Sequence, residues 1–192
     1  MIIAIKANKE SVDIRYNGIP KNWTRMEIQE PSSLKKVNPR YYEIGNITEK
    51  EKRSYTENCT SCVVVYEMRK RGYDVTASPY ISKLKRRPES AWKNPKILSA
   101  GKFPKEEIEG FLTQQGNDSR VQIIGLWNKR GNEGHTFVAE LDNGNIVFLD
   151  PQSGNVYNDD ILNCMNSIDY WRIDNLELSD RGVSACVGCE NW

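Results

Sequence analysis

Three side chains in this sequence can be assembled for nucleophilic catalysis. They are the thiol of Cys59, the imidazole of His135 (the one histidine among 192 residues) and the carboxylate of Asp150. A thiol is a strong nucleophile only as its thiolate, so it needs a base, and the base needs a group that fixes its tautomer. Cysteine, histidine and aspartate fill those three roles. The chemistry they share is acyl transfer through a thioester.

Each residue needs an element to hold it. Asn58 before Cys59 is a good N-cap, Gly72 a good C′ residue, and Arg69-Lys70-Arg71 fill a last turn where the helix dipole favours cations. A helix over 59–71 follows, with Cys59 in its first turn. Unpaired backbone N–H groups there favour a thiolate and can help stabilise an oxyanion. Cys59, Cys62, Val63 and Tyr66 fall along one stripe, which Lys70 continues with its aliphatic stem. Cys62 reads as a buried filler. Val63-Val64-Val65 is β-branched, so a helix there implies burial that overrides propensity.

Asn143-Gly144 is the strongest two-residue turn signal in the chain, and it centres a hairpin whose strands run from His135 to Leu141 and from Ile146 to Asp150. In that register His135 faces Gln152 and Asp150 faces Phe137. Asp150 then lies on the same sheet face as His135, one diagonal step of roughly 7–8 Å away. Its carboxylate can take one imidazole nitrogen and leave the other for Cys59. Asn58 and Gln152 are further candidates, for substrate contact or the oxyanion, beside plainer roles as a cap and a turn residue.

The rest of the chain must build a scaffold for these pieces. Ile2–Lys6 and Val12–Tyr16 read as short strands about an Asn17-Gly18-Ile19-Pro20 turn. Asp74 to Ala77 leaves the nucleophile helix as a strand. Pro104 opens a helix, and Val121 to Trp127 is a strand leading into a glycine-rich turn over 129–134. A short helix spans Asp159 to Asn166, Tyr170 to Ile173 is a last strand, and the residues from Cys186 onward form a tail. Residues 1–37 are expected to form a separate N-terminal segment and 38–192 the catalytic domain.

Composition narrows the function classes. A net charge of +1 argues against a nucleic-acid footprint, although Lys83-Leu84-Lys85-Arg86-Arg87 is locally basic. No apolar run approaches the eighteen or so residues of a membrane span. Met1-Ile2-Ile3-Ala4-Ile5 is too short for a signal-peptide core, so no export signal is expected. Five cysteines make a poor disulfide framework and fit a reducing compartment. The competing, non-enzymatic reading is a four-thiolate zinc site or redox module built from Cys59, Cys62, Cys186 and Cys189. The enzyme reading calls for no metal and no cofactor.

Two blocks of sequence resemble a known family. Asn58-Cys59-Thr60-Ser61-Cys62 with Tyr66 to Ala77 is similar to the nucleophile helix of the papain-fold toxin group of bacterial polymorphic toxins and secreted effectors. Gly134-His135-Thr136-Phe137 with Phe148-Leu149-Asp150-Pro151-Gln152-Ser153-Gly154 matches its second half. The resemblance implies an α+β papain-like fold, a helix packed on an antiparallel sheet, with Cys59 as nucleophile, His135 as base and Asp150 as orienter. It also implies deamidation of a glutamine on a target protein, with peptidase and transglutaminase chemistry as alternatives. A cognate immunity protein would be the other partner. The protein would be made in a bacterial cytoplasm and carried into a target cell. Arg53 stands near the place of papain's oxyanion-hole glutamine.

Overall fold

The computed structural model describes residues 15–16, 19–20, 23, 34–43, 45, 48–79, 87–127 and 133–188. Most of the two expected N-terminal strands, the basic cluster, much of the glycine-rich turn and Cys189 lie outside these. The chain is α+β and divides into two units. One comprises Met1–Lys93, Pro151–Ser153 and Glu177–Trp192, and the other Asn94–Asp150 and Gly154–Leu176.

In the first unit, strands β1 (Arg15–Tyr16) and β2 (Ile19–Pro20) pair antiparallel, so Ile19 and Pro20, expected in a turn, form a strand. Helix α1 spans Leu34–Val37, and a 3-10 turn follows over Pro39–Tyr42. Helix α2 (Glu49–Thr56) opens on a capping box in which Thr48 and Glu51 satisfy each other's backbone N–H groups. Helix α3 (Cys59–Lys70) comes next. It ends as expected: the amides of Gly72 and Tyr73 donate to the carbonyls of Arg69 and Met68.

Helix α3 departs from the amphipathic expectation. Every residue from Thr60 to Arg69 is buried, not one stripe. Full burial contributes roughly 1.5–3 kcal/mol for each of Val63, Val64 and Val65. The intrinsic helix penalty of such residues is at most about 0.7 kcal/mol each, so packing decides the conformation. Arg69 does not simply complement the dipole. It is buried, and its guanidinium donates to Asp74 at 3.0 Å and to the Val75 carbonyl at 2.9 Å. Lys70 does lie along the helix, its ammonium 5.8 Å from the Tyr66 ring centre.

Strand β3 (Thr76–Ala77) leaves α3. The expected tail is instead structured in part. Ser179 caps a helix over Asp180–Cys186, its side chain accepting from the Gly182 amide at 3.0 Å. That helix packs against α3, and Val187–Gly188 pairs antiparallel with β3.

The second unit is a six-stranded antiparallel sheet with one long helix. Its strands are β4 (Leu98–Ser99), β5 (Arg120–Leu126), β6 (Gly134–Asp142), β7 (Asn145–Asp150), β8 (Asn155–Tyr157) and β9 (Ser167–Arg172). In space they run β4-β9-β5-β6-β7-β8. Helix α4 (Pro104–Gln115) has proline in its first turn and buries Ile108 and Leu112. These join Ile123, Phe137, Phe148 and Tyr170 from the sheet in one apolar core. A 3-10 helix over Asp159–Cys164 stands where a short helix is expected. With the helices and strands numbered in chain order, Asp180–Cys186 is α5 and Val187–Gly188 is β10.

Candidate active site

Cys59 is the first residue of α3 and is half-buried. Its backbone places it in the first turn, as the sequence implies, between the buried Asn58 and Thr60. Asn58 does not cap through its side chain. Its amide is the centre of a buried polar knot. Asn58 Nδ2 donates to the Ser78 carbonyl at 2.9 Å and to Asn38 Oδ1 at 3.2 Å. Asn58 Oδ1 accepts from Asn38 Nδ2 and Gln152 Nε2, each at 3.2 Å, and from Cys62 Sγ at 3.3 Å. The helix dispenses with a side-chain cap because that amide ties together four segments of chain.

Gln152 is also not where the hairpin register puts it. The β6–β7 ladder runs from Asp142 opposite Asn145 to Val138 opposite Leu149, the expected register. There it ends. Asp150 pairs with Asn155 of β8, and residues 151–154 form a turn. Gln152 therefore has no place opposite His135; it is buried in that turn with its amide on Asn58. The turn residues Pro151–Ser153 group with the first unit.

His135 and Asp150 lie side by side, as the hairpin register predicts. Nε2 of His135 lies 3.2 Å from Oδ1 of Asp150. Asp150 is 3% exposed, so its carboxylate meets protein on nearly every side. Its second oxygen, Oδ2, accepts from the hydroxyl of Tyr157 at 2.8 Å. Tyr157 is a residue that the sequence reading missed; its signal is an aromatic on the strand that follows the Asp150 turn.

Rings complete the setting of the imidazole. Phe137 stacks on His135 at 6.1 Å between centroids, and Tyr157 stands edge-on at 6.4 Å. On the other flank His135 pairs with Gly125 of β5. A side chain at Gly125 would collide with Met165, whose thioether fills that space. Cross-strand partners project to one face about 4.5–5.5 Å apart, so Met165 packs beside the imidazole. Two rings, a thioether and a carboxylate thus fix how His135 points.

A family model described as papain fold toxin 1, glutamine deamidase matches residues 57–155, just over half of the chain. The chain belongs to this family. The matched stretch starts just before α3 and ends just after Asp150, so it spans Cys59, His135 and Asp150. Comparison with curated proteins gave no match. Membership in the papain-fold glutamine deamidases makes the chain a toxin-family enzyme of the deamidase class. Among the described residues no helix is long and apolar enough to cross a membrane.

The remaining cysteines sit in different settings. Cys62 is buried and hydrogen-bonded to Asn58. Cys164 is exposed on the 3-10 helix. Burial pushes the Cys186 thiol up to about 12, with a hydrogen bond to Ser61 opposing it in part. Arg53 is exposed and pairs with Glu57 at 3.4 Å.

Proposed function

We propose that this chain deamidates a glutamine side chain on a target protein through Cys59, His135 and Asp150. The observation that carries the reading is the span of the family match, which encloses all three residues. In the first half-reaction the Cys59 thiolate adds to the carboxamide carbon of the substrate. The tetrahedral oxyanion is stabilised by backbone N–H groups of the α3 first turn. His135 protonates the departing nitrogen, the C–N bond breaks, ammonia leaves, and a thioester remains.

In the second half-reaction His135 takes a proton from water. The hydroxide attacks the thioester, the C–S bond breaks, glutamate forms and the thiolate returns. Asp150 lies against Nε2, so Nδ1 is the nitrogen that exchanges protons in both steps. The target gains one negative charge, which can disable an interface by burying an unpaired carboxylate.

On this reading residues 38–192 carry the catalysis and 1–37 form a separate segment. The protein acts in the cytoplasm of a target cell after delivery from a bacterial producer, which holds an immunity protein against it. Intact-mass analysis of target-cell proteins, with wild type and Cys59→Ala compared, tests the reaction. The expected result is the small mass increase of exchanging NH2 for OH on one protein, absent with the variant. Fragments would instead identify a peptidase and cross-linked species a transglutaminase. No change in any protein would overturn the proposal.

A further inference from the structure

Three amide side chains in the first unit are buried almost completely: Asn38 at 0%, Asn58 at 2% and Gln152 at 7% exposure. Burying an amide is unfavourable unless its donors and acceptors are met. Here they meet one another. Beyond the bonds to Asn58 described above, Asn38 Nδ2 donates to the Tyr55 carbonyl at 3.0 Å and to the Gln152 carbonyl at 3.1 Å. At the margin, the hydroxyl of Tyr42 donates to the Ser153 carbonyl at 2.7 Å.

The knot gathers the end of α2, the residue before Cys59, the residue after β3, and the three residues that follow Asp150. Cys59 is one peptide unit from Asn58, and Asp150 is two from Gln152. We infer that Asn38, Asn58 and Gln152 are positioning residues: they fix the backbone at the nucleophile and at the residues next to the orienter. This rests on the Cys59-His135-Asp150 reading above. It gives Gln152 a role other than donor to the oxyanion. Asn38 has no surface to offer a substrate, so any catalytic effect of altering it passes through the knot. A displacement of about 1 Å in a catalytic group can reduce turnover by about 10²-fold.

The test uses two chemical probes on the full chain, because the protein target is not needed for either. Iodoacetamide alkylation of Cys59, followed by peptide mapping across a pH series, reads the thiolate. Hydrolysis of p-nitrophenyl acetate reads acyl transfer, which develops an oxyanion. The variants are Asn38→Ala, Gln152→Ala and the surface change Tyr42→Phe. In the first two, alkylation at neutral pH should fall about tenfold and its profile should move to higher pH, as a less well-placed thiolate requires.

Ester hydrolysis should fall with it, by about 10²-fold in kcat with KM little changed. Tyr42→Phe, which leaves the buried amides intact, should shift both in the same direction by a smaller factor. If ester hydrolysis falls in Gln152→Ala while alkylation is untouched, Gln152 is an oxyanion donor and the inference is wrong. It is equally wrong if all three folded variants match wild type. Should Asn38→Ala fail to fold, Gln152→Ala and Tyr42→Phe still decide. A wild-type Cys59 no more reactive than Cys164, with no ester hydrolysis, would instead sink the catalytic reading itself.

Discussion

The surroundings of Cys59 and those of His135 are built by different physics. Around Cys59 the restraints are hydrogen bonds: three buried amides satisfy one another and the carbonyls of Tyr55, Ser78 and Gln152. Around His135 they are shapes: Phe137 and Tyr157 flank the ring, Met165 fills the space over its cross-strand partner Gly125, and the Asp150 carboxylate lies against Nε2. Polar networks fail sharply, because losing one member strands the others without partners. Packed rings fail gradually, since neighbours relax into small gaps. The nucleophile end should therefore be brittle to conservative polar changes, and the base end brittle mainly to added volume.

Direct removal of the groups proposed to react should give the largest effects. Cys59→Ala and His135→Ala should each reduce turnover on the order of 10⁶-fold, and Asp150→Ala on the order of 10⁴-fold, as an orienter contributes less. The measurement is turnover on the target, with circular dichroism to show that each variant folds. Full activity in Cys59→Ala would remove the basis of the comparison.

Added volume on the base side comes next. Gly125→Ala drives a methyl group into Met165 beside His135. Overpacking of this kind costs about 1–3 kcal/mol, read as a lower denaturant midpoint. Turnover should fall more steeply than stability, and trimming Met165 to alanine in the same chain should restore part of both. Without that rescue, Met165 would not be the residue in the way.

A subtler change at the same end is Tyr157→Phe, which keeps the ring and deletes the donor to Asp150 Oδ2. A hydrogen bond to a charged group is worth about 1.5–3 kcal/mol, so a loss of stability in that range is expected. A tenfold fall in kcat with KM unchanged would show that the phenol steadies the carboxylate. An unaltered pH profile and kcat would reduce it to packing.

The smallest effect on turnover at neutral pH belongs to Cys186, whose contribution is to stability in alkali. The unfolded chain releases that proton near 9.0, while the folded chain holds it to about 12. Raising the pH through this window deprotonates the unfolded chain first and so favours it, and stability should fall from 9.0 to about 12. Cys186→Ser should flatten the slope. At neutral pH brief iodoacetamide treatment should label Cys59 first and exposed Cys164 next, with Cys62 and Cys186 silent.

Much of this arrangement was legible in the sequence because its signals are local. Asn143 and Gly144 both have positive φ, 49° and 82°, as a two-residue turn of the expected type demands, and that alone sets the register bringing Asp150 to His135. The bounds of α3 follow from its ends. What escaped depends on distant partners. Asn58 has the composition of a cap, but its amide is claimed by Asn38 and Gln152, which are far away in sequence. The register that sets Gln152 opposite His135 holds only while the ladder continues, and the ladder stops at Leu149. Helix α2 carries a local signal, Thr48 with Glu51, but it is short and polar and offers no apolar stripe beside it. Helix α5 is seven residues long with a glycine inside it, too short and too weak to declare itself except through Ser179.

The antiparallel pairing of β3 with β10 has a consequence for the order of events during synthesis. Ribosomes deliver the chain from its N-terminus, so the helix bearing Cys59 emerges long before α5 and β10, which pack against it. Until those late residues appear, valines that end up wholly covered have no complete lid, and the amide knot lacks Gln152. The nascent chain therefore passes most of its elongation without a finished nucleophile site.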